Sequence, residues 1–136
     1  MTTKAFGIAE LIRHISYNAT TDKVETSKKM TTSGASRSNT KSAGGTNAEN
    51  LVTFAKATYR SAIFKIQATQ GSNYHTTTFV IIHDGSTTYD TEFATVRSGS
   101  SLFSVTSDVS GNNVRIRTTA ANANTTYKYS VEYVEA

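Results

Sequence analysis

Residues 74 to 97 read YHTTTFVIIHDGSTTYDTEFATVR, and the pattern within them decides the fold class. After Tyr74 the chain passes from alternation into Phe79-Val80-Ile81-Ile82 with no polar break, as a strand covered on both faces does. Such a strand belongs in the middle of a sheet. Asp84-Gly85 follows at once, a strong hairpin signal, because glycine takes the positive φ that a tight turn demands. The stretch 89–97 then returns with Phe93, Ala94 and Val96. The reading is two strands joined by a tight turn.

The same grammar extends in both directions. In 60–68, Ala62, Phe64, Ile66 and Ala68 fall on one face and Ser61, Lys65 and Gln67 on the other, with Ile63 as the exception. Downstream, Ser98-Gly99-Ser100-Ser101 marks a turn, 102–109 a strand, and Ser110-Gly111-Asn112-Asn113 the next turn. Val114, Ile116 and Thr118 then alternate against Arg115 and Arg117. In 125–134, Tyr127, Tyr129, Val131 and Tyr133 share one face. With 51–57 added there are about seven short strands at regular spacing, which predicts an all-β fold: an antiparallel, jelly-roll-like β-sandwich over residues 51–136.

Composition agrees with this. Of 136 residues, 37% are hydrophobic and 18% charged, both below the usual ~45–50% and ~25%, and 24 threonines and 16 serines fill the difference. The absence of cysteine excludes a disulfide framework, a zinc finger, an iron–sulfur cluster and a thiol nucleophile. No apolar run approaches the ~18–20 residues that span a bilayer, and the N-terminus lacks the pattern of a secretory signal, so no membrane partner and no export are expected. The net charge of +4 and pI near 9.4 make acidic partners worth weighing. The basic residues are nevertheless scattered, with Lys28/Lys29 and Arg115/Arg117 the only close pairs, so a nucleic-acid partner is not expected.

Residues 1–50 have a different character. In 5–17, AFGIAELIRHISY, the residues Ile8, Leu11, Ile12 and Ile15 form one stripe of a short helix, although Gly7 weakens it. A hairpin competes, with strands at 12–17 and 24–27 around a turn at 18–23, and periodicity leaves both open. Either element is too small to stand alone, so Phe6, Ile8, Leu11, Ile12, Ile15 and Tyr17 are the candidate partner-binding residues. From 27 to 50 the sequence SKKMTTSGASRSNTKSAGGTNAEN has Met30 as its only large apolar residue, which predicts a flexible polar linker. The expected organisation is an extended N-terminal arm and linker at 1–50 and a sandwich at 51–136. A sandwich that small gains from assembly, and a homo-oligomer, in the first place a trimer, is expected.

The chemistry-bearing residues form no convincing site. His14, His75 and His83 are the metal or catalytic suspects, but His75 and His83 stand about 26 Å apart along one strand. His83-Asp84 is better read as a turn whose aspartate caps its own backbone. Asp84, Asp90, Glu92 and Asp108 match no calcium-loop spacing, and Gly44-Gly45 is no phosphate cradle. The expectation is no catalytic residue, no metal and no cofactor. Tyr127, Tyr129 and Tyr133 admit a sugar-stacking platform, but period-two aromatics are more often core or interface residues. Asn18-Ala19-Thr20 and Asn124-Thr125-Thr126 fit the glycosylation sequon, which signifies only in a secreted eukaryotic protein.

Three linked pieces carry a resemblance. They are Thr58-Tyr59-Arg60-Ser61-Ala62-Ile63-Phe64-Lys65-Ile66-Gln67; the hairpin from Tyr74 through His83-Asp84-Gly85-Ser86-Thr87-Thr88-Tyr89-Asp90-Thr91-Glu92-Phe93; and Leu102-Phe103 with Asp108-Val109-Ser110-Gly111-Asn112-Asn113-Val114-Arg115-Ile116. In order and spacing they resemble a β domain recurring in virion proteins of tailed phages, cyanophages especially, with the pattern YRSAKY, HDGT, ISGGNVRL. Ile63-Phe64 departs from that group's usual basic-aromatic pair, and Asn113 stands for its second glycine. Upstream, the run from Ile15 to Glu25 resembles a hairpin repeated in phage fibre and baseplate proteins. The resemblance implies a structural role in the virion, made in the host cytoplasm, with no catalytic residues to carry over. The expected function is a capsid decoration or cement protein attached through its N-terminal arm, with the major capsid protein as partner. The alternatives are a neck, tail or fibre component binding tail proteins and, in another class, a glycan-binding module.

Overall fold

The computed structural model describes residues 15–18, 23–26 and 34–136. Two compact units divide the chain, Met1–Thr32 and Ser33–Ala136. In the first, β1 (Ile15–Asn18) pairs antiparallel with β2 (Lys23–Thr26), with Ile15 opposite Thr26 and Asn18 opposite Lys23. Residues 15–17, which the helical stripe would include, are therefore strand. The rest of that stripe lies outside the described residues.

The second unit is an antiparallel sandwich of two sheets. All seven expected strands are present: β4 (Ala48–Ala55), β5 (Tyr59–Gln70), β6 (Asn73–His83), β7 (Thr88–Arg97), β8 (Phe103–Ser110), β9 (Asn113–Ala120) and β10 (Thr126–Glu135). An eighth, β3 (Gly34–Ser42), lies where the linker was expected. Its sequence, GASRSNTKS, has no large apolar side chain. It is held as an edge strand by backbone pairing with β10, from Ser42 opposite Thr126 to Gly34 opposite Val134, so composition gave no sign of it. The compact unit thus begins upstream of the expected boundary at residue 51.

The larger sheet has the order β3-β10-β5-β6-β7 and the smaller the order β4-β9-β8. Hairpins join β5 to β6, β6 to β7 and β8 to β9. All three turn on positive-φ glycines, Gly71 at 57°, Gly85 at 102° and Gly111 at 59°. Between the sheets lie Ala62, Phe64, Ile66 and Ala68 of β5, Phe79 and Ile81 of β6, and Tyr127, Val131 and Tyr133 of β10. The smaller sheet meets them with Phe54, Phe103, Val105, Val114 and Ile116. Aromatic edges lock the two layers together: Phe54 packs at 5.3 Å on Tyr133, and Phe103 at 5.4 Å on Tyr127.

The β6 strand is internal, but it is covered on one face only. Phe79 and Ile81 are buried, Val80 is half-buried, and Ile82 is 50% exposed. The apolar run reports a face that the described residues leave open.

Candidate functional site

The titratable residues take structural places. His83 donates from Nε2 to the Tyr59 carbonyl at 2.7 Å, while Asp84 accepts from the Ser86 and Thr87 amides at 2.8 Å each and from the Tyr89 hydroxyl. These bonds hold the Asp84 carboxyl below its ordinary range and raise the Tyr89 phenol. The aspartate caps its own turn, as read from the sequence.

His75 is buried against Phe103, with ring centroids 4.4 Å apart. The Leu102 amide approaches its Nδ1 and the Arg97 Nε its Nε2, each at 3.3 Å. Burial, and secondarily the Arg97 charge, lower its pKa, against an opposing effect of Glu92. A ring met by donors on both nitrogens gains no partner from a second proton.

The four carboxylates do not converge. Asp84 sits in the β6–β7 turn, Asp90 accepts from the Ser107 hydroxyl, Glu92 lies farther along β7, and Asp108 is engaged by Arg115. Among the described residues no group of three or more His, Cys, Asp or Glu is placed to hold a metal ion. The tyrosine stripe is core. Tyr127 and Tyr133 are buried and Tyr129 half-buried, Tyr133 stacks on Tyr59 at 4.5 Å, and burial pushes its phenol up to about 12. That packing removes the sugar-stacking platform.

Of the expected partner-binding residues, Ile15 and Tyr17 are in β1, opposite Thr26 and Val24. Phe6, Ile8, Leu11 and Ile12 lie outside the described residues. The surface that the sequence reading missed is the outer face of the five-stranded sheet. Among the described residues the exposed large hydrophobic ones are Ile63, Tyr74, Ile82, Tyr89, Phe93, Val96 and Val134, and the pleat puts them all on that face.

Register makes most of these residues neighbours. Ile82 is opposite Tyr89, Ile63 is opposite the half-buried Val80, and Phe93 and Val96 are opposite Thr78 and Thr76. A bulge at Ala94, with φ of 53°, sets the spacing between Phe93 and Val96. Two signals pointed here: the unbroken run 79–82 and Ile63 breaking the alternation of β5.

No protein-family model matches the sequence, and no curated protein does. Among solved structures, the chain overlaps the tailspike protein of Acinetobacter baumannii phage AM24 at 8% identity and a TM-score of 0.45, over 76% of this chain and 26% of that one. It overlaps a tailspike of Acinetobacter baumannii bacteriophage Fri1, described as a capsular polysaccharide depolymerase, at 14% identity and a TM-score of 0.45, over 93% of this chain and 21% of that one. The chain thus spans about a quarter or less of those tailspikes. Overlap at this level is no basis for carrying a tailspike's activity to this chain.

Proposed function

We propose that this chain is a structural, non-catalytic protein of a tailed-phage virion, and within that class a decoration protein of the head attached through its N-terminal segment. The observation that carries the reading is the placement of the three linked motif pieces. They occupy β5, the β6–β7 hairpin and the β8–β9 hairpin, so the resemblance runs through one continuous block of the sandwich. The chemistry is consistent with that role. Among the described residues, His75, His83, Asp84 and Asp108 are engaged in packing, capping and an ion pair, and a broad apolar face suits assembly.

A neck, tail or fibre location is the second reading. The apolar sheet face favours it, since self-assembly independent of the head is what such a component needs. The test is to mix the purified chain with DNA-free capsids, and separately with isolated tails, and measure co-sedimentation. Saturable binding to capsids at fixed stoichiometry supports decoration; binding to tails alone moves the chain to the tail; binding to neither overturns the virion reading. Deleting residues 1–26 is expected to leave a folded sandwich by circular dichroism while abolishing attachment, since the compact unit begins at Ser33.

A further inference from the structure

The outer face of the five-stranded sheet is large enough to ask what covers it. On β6 and β7, Tyr74, Ile82, Tyr89, Phe93 and Val96 are 48 to 65% exposed. With Ile63 and Val134 they expose on the order of 700 Å² in all, backbone and hydroxyls included, approaching the ~800 Å² that each partner gives to a standard interface. A pleated sheet face is complementary to another such face about 10 Å away. The charges beside the band are Lys65 on β5 and Lys128 and Glu132 on β10. Glu132 lies opposite Ile63, one register step along the same face from Lys65. With both signs present, a strongly acidic partner meets Glu132 and a strongly basic one meets Lys65 and Lys128, whereas an identical face turned about a two-fold axis can set Glu132 against Lys65.

We infer that copies of this chain associate through the outer face of β5, β6 and β7, with Phe93 and Val96 of the edge strand β7 as anchors. This names the occupant of the face described above and rests on its assembly role, though on neither a head nor a tail location. The unbroken run Phe79-Val80-Ile81-Ile82 then has the double covering that its pattern implies: the smaller sheet on one side and a neighbouring copy on the other.

The test is size-exclusion chromatography with light scattering on the full chain over roughly two decades of concentration. It is repeated for Val96→Glu and Phe93→Glu, with thermal melts to confirm folding. The expected result is a dimer for the wild type and monomers for both variants, with the dissociation constant raised on the order of 100-fold or more. Should either variant unfold, Thr91→Arg, an exposed polar position on the same face, takes its place. A wild type monomeric at every concentration overturns the inference, as does an oligomer that survives these substitutions. A monomer that binds capsids until Val96→Glu is introduced gives the face to a virion partner, which also overturns self-association while sparing the proposed function.

Discussion

The outward sides of the two sheets differ in how they meet water. On the three-stranded sheet Thr53, Arg115, Asp108, Arg117 and Thr119 point away from the core, and the charges hold one another. Arg115 Nε and Nη2 reach the Asp108 carboxylate at 2.6 and 2.7 Å, and Arg117 stands 3.9 Å from it. On the five-stranded sheet the equivalent positions carry Ile82, Tyr89, Phe93 and Val96. Strand pairing and turn chemistry are alike on both sides, so the backbone does not set the difference. The lesson is that an outward face rich in paired charge is finished as it stands, whereas an outward apolar face implies a further layer.

The largest effect tests the two sides of one strand. Ile81 is 0% exposed and Ile82 is 50% exposed. Ile81→Asp is expected to unfold the sandwich, because an unpaired buried charge costs several kcal/mol, while Ile82→Asp leaves it folded with a change within about 0.5 kcal/mol in the monomer. Urea titrations of the two variants measure this. Equal losses would mean that the outer face is packed within a single chain.

A smaller effect concerns the end of the band near Tyr74, where His75 faces inward. Its pKa is lowered in the fold, so the unfolded chain takes up a proton first. The contribution is fully present above the unfolded value of about 6.5 and is lost as pH falls through the lower folded value. The melting temperature is therefore expected to drop as pH falls below about 6.5, and His75→Gln is expected to flatten that slope. A slope unchanged by the substitution would locate the pH sensitivity elsewhere.

The smallest effect is on the polar side. Asp108 is held below its ordinary pKa chiefly by the hydrogen bonds from Arg115. The stabilisation exists above the ordinary carboxylate range and fades as pH falls through the lowered value. Both side chains are about a third exposed, so solvent and salt screen the pair. Arg115→Ala is expected to move the melting temperature only slightly at neutral pH, with no change in oligomeric state by light scattering. A loss of association would make the polar face the interface and reverse the comparison.

How much of this was legible follows from which interactions a one-dimensional pattern records. The alternation Ala62, Phe64, Ile66, Ala68 and the turn signals Asp84-Gly85 and Ser110-Gly111 each encode a local choice, and the corresponding strands and hairpins are there. The edge strand β3 was not legible, because its nine residues are held through backbone pairing with β10 and carry no apolar signature. Tyr127 and Tyr133 left a platform open in the sequence, and only the second sheet, bringing Phe54 and Phe103 against them, makes them core. The run 79–82 announced two covered faces but not what covers the second. The stripe of Phe6, Ile8, Leu11, Ile12, Ile15 and Tyr17 is a separate docking candidate read from local periodicity, while the apolar face among the described residues is built from β5, β6, β7 and β10.

The most direct test of the contrast between the faces uses the absence of cysteine from the chain. Single Val96→Cys and Thr119→Cys variants place one thiol on each outward face, both at exposed strand positions. Their labelling rates with a small maleimide are measured across a concentration series. Labelling at position 96 is expected to slow as protein concentration rises while labelling at position 119 stays constant. Two thiols that react at the same concentration-independent rate would contradict the contrast.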